Sequence, residues 1–280
     1  MQTNGPEKPV MLAAPTASFS LRRSLRQLPG VRPLVDFAFR NKPVLTEEEF
    51  SQFHAHGFLI IDPEIPEDAL DEAVRYVLAR PEAKVSHHGT RVFNAWKDCR
   101  AIRQVALAPR VFRILRQLYG RKPLPFQTLN FPIGTEQRVH SDVIHFNCDP
   151  PTYMCGVWVA LEDIDLDNGA LVYYPGSHKL PVVMMEDFSP GPGTKYYPQY
   201  EDHVEGVAKA SGIQPAQAVL RKGQALIWAA NLLHGGGTHH DKSRTRHSQV
   251  THYYFEGCQY YMPLESYGGY RHLRFEEWIG

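Results

Sequence analysis

From about Pro125 onward the chain is a succession of short segments rich in valine, tyrosine, phenylalanine and tryptophan, which strongly limits the possible folds. Residues of these types favour strands, and turn-forming pairs such as Asn168 with Gly169 separate them. This Asn-Gly pair predicts a tight hairpin between two strands. Strands are predicted at residues 125–132, 137–146, 153–163, 170–175, 217–220, 224–230 and 245–256. So many short strands predict a β-sandwich or barrel of the jelly-roll type.

The segment that precedes these strands carries helical signals. Thr46 and Glu49 form a capping box, which predicts a helix that ends at Gly57, before a buried strand at residues 58–61. Further helices are predicted at residues 67–79, 101–107 and 109–119. Helices followed by strands predict an α+β fold that is mainly β, with a cupin-like jelly-roll core and flanking N-terminal helices.

The chain is predicted to contain an arm and one domain. Residues 1–44 are rich in proline, arginine and serine and lack a sustained period, so we expect an N-terminal arm. The predicted domain covers residues 45–280, with a helical flank at 45–122, a jelly-roll core at about 123–257 and a C-terminal tail at 258–280. Proline and glycine alternate at residues 190–193, which predicts that residues 182–212 are an insertion, often a lid or binding loop.

Composition limits the possible partners. The 30 basic residues balance the 30 acidic ones, which argues against nucleic acid or an anionic membrane as the main partner. The four cysteines show no CxxC pairing, as expected for a reduced, cytoplasmic protein. No apolar run approaches the roughly 18 residues of a membrane helix, and no signal peptide is expected. We therefore expect a cytoplasmic protein that acts on a small molecule and binds neither nucleic acid nor membrane.

Two separated motifs together predict a metal site. His140 and Asp142 are two residues apart on a predicted strand, so their side chains should point to the same face. An apolar segment ends in His234, which is followed by glycines at 235–237 and lies 94 residues after His140 (234 − 140). Two histidines and one carboxylate can form the facial triad that non-haem iron(II) oxygenases use. Taken alone, the pair of His140 and Asp142 is more often a surface pair or a buried ion pair. A histidine before a run of glycines, such as His234, is more often structural.

A cation beyond His234 suggests a second ligand beside the metal. Arg244 and Arg246 lie at the start of the last predicted strand, and the planar guanidinium of arginine suits a carboxylate. Because the two residues are two apart, strand alternation places both on one face and does not choose between them. Either one could instead be an ordinary surface charge.

Three stretches resemble one family of enzymes. They are HSDVIHF, GVWVALEDIDLDNGALVYYPGSHK and LLHGGG followed by an arginine and a strand. In this order and spacing they are similar to the phytanoyl-CoA dioxygenase family, which also includes ectoine hydroxylase. The resemblance covers roughly residues 125–257, and FSQFHAHGFLII and VFRILRQLYG look like the family's opening helices. It implies a double-stranded β-helix that uses iron(II), 2-oxoglutarate and O₂.

The resemblance also implies roles for individual residues. It implies that the iron ligands are His140, Asp142 and His234. The residues matched to the 2-oxoglutarate site are Arg246, with Arg244 in reserve, and Gln127, Asn130 and Trp158. This chain departs from the family twice: Arg246 lies one residue further from His234 than is common, and Gly236 replaces a frequent serine. The missing hydroxyl could therefore come from Thr238.

The activity that the resemblance implies is hydroxylation of an aliphatic C–H bond in a small organic substrate, with decarboxylation of 2-oxoglutarate to succinate. Asp142 favours hydroxylation, because related halogenases carry a small residue at this ligand position; desaturation or ring chemistry stays open. The residues expected near the substrate are His145, Phe146, Arg91 and Trp96, in or near segments that also hold His87, His88 and Asn94. Each of these residues could equally be structural.

The competing hypothesis is a non-catalytic or zinc-containing jelly roll that binds a small ligand. A set of two histidines and one aspartate can also hold zinc. The arginine beyond His234 argues against it, since a zinc hydrolase has no need of that cation.

Overall fold

The computed structural model describes residues 43–81 and 90–280. Residues Val44–Gly280 form one compact unit. Almost all of the expected N-terminal arm lies outside the described residues, as do His87 and His88. Across the described part of the chain, no helix combines the length and the apolar character that crossing a membrane requires.

Among the described residues, the first four helices match their sequence signals closely, and the fifth was not predicted. Within the described residues they are α1 (Glu47–His56), α2 (Glu67–Ala79), α3 (Arg100–Ala106), α4 (Pro109–Tyr119) and α5 (Tyr197–Ser211). The predicted capping box is present: the Thr46 hydroxyl accepts from the Glu49 amide at 3.1 Å, and the Glu49 carboxylate accepts from the Thr46 amide at 2.7 Å. Helix α1 ends at Gly57, whose φ of 78° is easily adopted only by glycine.

The strands form one large and two small antiparallel sheets. They are β1 (Phe58–Ile61), β2 (Val92–Phe93), β3 (Pro123–Phe131), β4 (Asn147–Asp149), β5 (Met154–Ala160), β6 (Leu171–Tyr173), β7 (Ala216–Ala218), β8 (Ala225–Ala229), β9 (His234–Gly236), β10 (Ser248–Phe255) and β11 (Gln259–Tyr261). The large sheet has the order β1-β8-β5-β10-β3-β2, the second sheet β7-β6-β9, and β11 pairs with β4.

Alternation along the central strands divides the core into two layers. On β5, Val157 and Val159 pack with the helices α1 to α4 on the outer face of the large sheet. Trp158 and Ala160 point the other way and pack against Leu171 of the second sheet. Both faces of the large sheet are therefore covered, which explains why every residue of β5 is buried. Helices on one face and a second sheet on the other give the predicted jelly-roll core with flanking helices.

The predicted strand at residues 137–146 is wrong. His140 makes only an isolated bridge with His234, and residues Asp142–Ile144 form a 3-10 helix. The Ser141 hydroxyl caps this helix by accepting from the Val143 amide at 3.3 Å. A short side chain that bonds its own backbone thus ends the extended conformation between the two metal-ligand candidates.

The predicted hairpin at Asn168 and Gly169 is also wrong. The flanking strands β5 and β6 belong to different sheets, so the segment is a connection between layers. The Asn168 amide group donates to the carbonyls of Asp163 and Thr245, each at 3.1 Å. Its side chain therefore fixes a long connection, a role that the local Asn-Gly pattern does not reveal.

Candidate metal centre

His140, Asp142 and His234 meet at one buried point. One ligand atom from each side chain can be chosen so that all three lie within 4.8 Å of one another. The backbone N–H and C=O of His140 pair with the C=O and N–H of His234, each at 2.9 Å, which sets the two imidazoles side by side. Asp142 reaches the same point from the first residue of the 3-10 helix rather than from a strand.

Both imidazoles are held in the form that binds a metal. Nδ1 of His140 lies 2.9 Å from the Arg138 carbonyl, and Nδ1 of His234 lies 2.9 Å from the Leu232 carbonyl. Since a carbonyl only accepts, each Nδ1 carries the proton and each Nε2 presents a lone pair. Burial and the neighbouring His234 lower the pKa of His140 to about 3, so its ring is neutral at physiological pH.

The Asp142 carboxylate is oriented by contacts to one of its two oxygens, Oδ2. Nε1 of Trp228 donates to Oδ2 at 2.7 Å, and Nε2 of His252 lies 3.5 Å from the same oxygen. Oδ1 lies 3.9 Å from Nε2 of His234 and accepts none of these bonds. Burial opposes ionisation, but His234 and His252 outweigh it and hold the pKa of this carboxyl below its usual range. The carboxylate is therefore charged, with Oδ1 available as a single metal ligand.

The triad opens into a cavity of about 680 Å³ that also contains Arg246. Its guanidinium is buried, with Nη1 donating to the Ser248 hydroxyl at 3.0 Å and the ring of Trp158 at 5.3 Å. Its Nε has no hydrogen-bond partner, and no carboxylate within the described residues forms an ion pair with it. Burial lowers the pKa of Arg246 to about 10, which leaves it charged at neutral pH. A buried cation with a free N–H needs an anionic partner.

The structure brings most of the other expected site residues to this cavity. The predicted residues that line it are Gln127, Trp158, Arg246, His145, Phe146 and Arg91. Arg244 does not line it and instead donates to both carboxylate oxygens of Asp165 at 2.9 Å. The two arginines precede the first residue of β10, so the alternation that holds within a strand does not place them on one face.

Three other expected residues lie away from the cavity. Asn130 is fully buried on the opposite face of β3 from Gln127 and donates to Gln249 at 3.2 Å. The separation of three residues between Gln127 and Asn130 puts them on opposite faces of one strand. Thr238 is exposed after the end of β9. Trp96 is buried among the helices on the outer face of the large sheet.

Several cavity residues were not predicted. His252 could have been found, because it lies an even number of positions after Arg246 along the predicted strand 245–256. Trp228 lies in the predicted strand before His234, but nothing in the sequence indicates that its indole reaches Asp142. Arg274 reaches the cavity from the C-terminal tail, a segment without any periodic pattern.

Comparison with known proteins gives a consistent result. A model of the phytanoyl-CoA dioxygenase family matches residues 40–248. Phytanoyl-CoA dioxygenase domain-containing protein 1 of Mus musculus is 29% identical over 149 residues, which cover 51% of this chain and 49% of that protein. The peroxisomal phytanoyl-CoA dioxygenase of Bos taurus is 28% identical over 134 residues, which cover 45% of this chain and 36% of that protein. The chain thus spans half or less of the length of these curated relatives.

Solved structures share the fold. The non-heme alpha ketoglutarate dependent epimerase SnoN superposes with a TM-score of 0.60 at 21% identity, covering 76% of this chain and 84% of that one. The carbocyclase SnoK superposes with a TM-score of 0.61 at 18% identity, covering 77% of this chain and 86% of that one. EctD from S. alaskensis with 2-oxoglutarate and 5-hydroxyectoine superposes with a TM-score of 0.61 at 16% identity, covering 85% of this chain and 86% of that one. These likenesses confirm the predicted jelly-roll architecture.

Proposed function

Because this chain belongs to the phytanoyl-CoA dioxygenase family, we propose that it is an iron(II)- and 2-oxoglutarate-dependent dioxygenase that hydroxylates an aliphatic C–H bond of a small organic molecule. One observation carries the proposal. A single cavity contains the three metal-ligand candidates and a buried arginine that lacks an acidic partner within the described chain.

The residues of this cavity fit both iron(II) and 2-oxoglutarate. Two imidazole nitrogens and one carboxylate oxygen would supply three ligands to an iron ion and leave room for further ligands. The free Nε of Arg246 is an orphaned donor that suits the far carboxylate of a dicarboxylic acid. A zinc-binding module would have no use for this buried cation, so the geometry favours the oxygenase over the competing hypothesis.

The protein's own residues bind, orient and exclude water. His140, Asp142 and His234 would hold the iron, and Arg246 would fix the orientation of 2-oxoglutarate. When bound, iron and 2-oxoglutarate supply the oxidising power to attack a C–H bond with O₂ while 2-oxoglutarate is converted to succinate and CO₂. Trp158 and other apolar side chains form the walls around Arg246 and keep water from this part of the cavity.

Hydroxylation is proposed because of the ligand set rather than the fold. SnoN and SnoK are described as an epimerase and a carbocyclase, so the fold alone does not select the outcome. Asp142 occupies the carboxylate position, which leaves no ligand site vacated for a halide. Hydroxylation is the simplest reaction that this ligand set supports.

Succinate formation tests the proposal. Protein supplied with iron(II), 2-oxoglutarate and O₂ should form succinate slowly without substrate and faster with it. The variant Asp142→Ala should form none, because it loses one of three iron ligands. If wild-type protein binds iron and forms no succinate under any condition, it is a binding module and the proposal fails.

A further inference from the structure

The proposed function leaves part of the cavity wall without a role. Arg91, just before β2, and Tyr197, at the start of α5, both line the cavity. Neither is a metal-ligand candidate, and neither is needed to hold 2-oxoglutarate if Arg246 does so.

Arg91 is a cation without a counter-charge in the cavity. Among the described residues that line the cavity, Asp142 is the only acidic one, and Trp228 and His252 already engage it. Arg274 also lines the cavity, but it is paired with Glu276. The Arg91 guanidinium lies 5.0 Å from the ring of Phe93, with no carboxylate partner in the described part of the chain. Arg91 is exposed as a whole, so water also reaches its side chain, but partial desolvation still lowers the pKa of its guanidinium.

Tyr197 presents a buried hydroxyl to the same cavity as Arg91. Its hydroxyl oxygen is buried and makes no hydrogen bond within the described structure. Arg91 and Gln137 are among its polar neighbours, and burial and then Glu201 raise the pKa of Tyr197 to about 12. The hydroxyl therefore stays protonated. A hydroxyl and a guanidinium that line one cavity can together bind a carboxylate or phosphate.

Flat side chains line the cavity next to this pair. The His145 ring lies between Tyr197, at 5.2 Å, and Phe146, at 5.9 Å. The Arg274 guanidinium lies 4.9 Å from the Phe146 ring. Such a wall favours a ring or another compact apolar body.

We propose that the substrate is a small molecule with an apolar or cyclic body and a carboxylate or phosphate, which Arg91 and the Tyr197 hydroxyl bind. This inference rests on the proposed function, because the anion must be held while 2-oxoglutarate occupies Arg246. The cavity of about 680 Å³ has to contain both molecules, which sets the substrate in the small-molecule range.

Calorimetry with matched acid and ester pairs tests the inference. The probes are benzoic, 3-phenylpropionic and cyclohexanecarboxylic acids, their methyl esters, and phenyl phosphate. Each is titrated without oxygen into protein that is saturated with iron(II) and 2-oxoglutarate. At least one acid or phenyl phosphate should bind about tenfold or more tightly than the neutral esters, since a charged hydrogen bond is lost in the ester. If no anion in the panel binds better than the esters, the inference is overturned.

Variants identify the residues that recognise the anion. Arg91→Gln should weaken the preferred anion about tenfold, Tyr197→Phe should weaken it less, and Arg91→Lys should recover part of the loss. Arg100→Gln changes an exposed arginine on α3 and should leave binding unchanged. Equal binding by wild type, Arg91→Gln and Tyr197→Phe would contradict the assignment.

The same titrations separate this inference from the proposed function. Arg246→Gln should weaken 2-oxoglutarate and leave the preference for the anion over its ester intact. If wild-type protein does not bind 2-oxoglutarate but binds an aromatic acid through Arg91, the proposed function fails and the anion site stands. If 2-oxoglutarate is turned over and Arg91→Gln has no effect on the binding of any anion, the proposed function stands and the anion site fails.

Discussion

Arg244 and Arg246 are two residues apart, yet their side chains have opposite surroundings. Arg244 is half-exposed and bonds both oxygens of Asp165, whereas Arg246 is buried in the cavity with its Nε free. Sequence alternation could not distinguish them because residues two apart share a face of a strand, and in the structure both precede β10. The difference arises from tertiary contacts, including the bond from the Arg246 amide to the Pro132 carbonyl at 3.0 Å.

Substituting the two arginines one at a time tests this difference. Arg246→Gln should raise KM for 2-oxoglutarate at least about tenfold, because it removes a charged hydrogen-bonding partner from a buried site. Arg244→Gln is the matched control and should change KM little, since its ion pair with Asp165 is half-exposed. Succinate formation at varied 2-oxoglutarate concentration measures both. The opposite ranking of the two variants would show that the co-substrate site has been misplaced.

Trp228 is a second residue whose function depends on a neighbour. It faces Gly156 across the pair β5 and β8, and a Cβ at Gly156 would collide with the indole ring. The glycine thus leaves room for the ring, which lies 4.6 Å from the His234 ring and donates from Nε1 to Asp142. Gly156 was not recognised from the sequence, because a lone glycine in a strand has many possible causes.

Trp228→Phe should weaken metal binding. The variant keeps an aromatic ring beside His234 but loses the N–H that orients Asp142, so cobalt(II) affinity should fall about tenfold. Gly156→Ala should have a similar effect by displacing the indole. Cobalt(II) titration followed by visible absorption measures both, with the half-exposed Trp278→Phe as control. An unchanged affinity in Trp228→Phe would show that this hydrogen bond does not position the ligand.

At the scale of elements, helix α5 holds the segment that carries His140 and Asp142. The Tyr200 hydroxyl accepts from the Ser141 amide at 2.9 Å and donates to the Ser141 carbonyl at 3.0 Å. Arg138, on the other side of His140, makes ion pairs with three acidic residues of α5, namely Glu201, Asp202 and Glu205. These ion pairs are partly exposed and contribute little, so Tyr200 is the main connection.

Tyr200→Phe should therefore destabilise the protein. It leaves the buried amide and carbonyl of Ser141 without partners, which costs about 1–3 kcal/mol of unfolding free energy. Tyr196→Phe is the matched control on a half-buried tyrosine of the same insertion. Urea denaturation of the metal-free variants measures the difference. If the two variants are equally stable, α5 does not hold the ligand segment through this hydroxyl.

How well each element could be predicted from the sequence depends on whether local signals or long-range contacts determine it. Helices such as α2 were predicted at their observed ends, because the residue pattern and the proline that follows are local signals. The interior strands were found to within a few residues by their apolar content. The segment at residues 137–146 failed because Ser141 caps a 3-10 turn, and the connection at Asn168 failed because its partners are distant in sequence. Residues 182–212, which we predict to be an insertion, contain helix α5, which was not predicted.

At the scale of the whole molecule, the cavity is assembled from segments far apart in sequence. The triad comes from β9 and from the segment that bridges β9 at His140, while the tail supplies Met262, Leu264 and Arg274. The tail is held by pairing of β11 with β4 and by the bond from the Ile279 amide to the Pro125 carbonyl at 2.8 Å. Such long-range docking has no local signal, which is why the tail residues of the cavity wall were not predicted.

The visible absorption spectrum of oxygen-free protein mixed with iron(II) and 2-oxoglutarate tests most directly whether His140, Asp142 and His234 hold iron beside the co-substrate site. Wild-type protein should develop the weak charge-transfer band of an iron(II) ion chelated by 2-oxoglutarate. Asp142→Ala should develop none, because its ligand set is incomplete. Absence of the band in wild-type protein, or its full retention in Asp142→Ala, would contradict the proposed site.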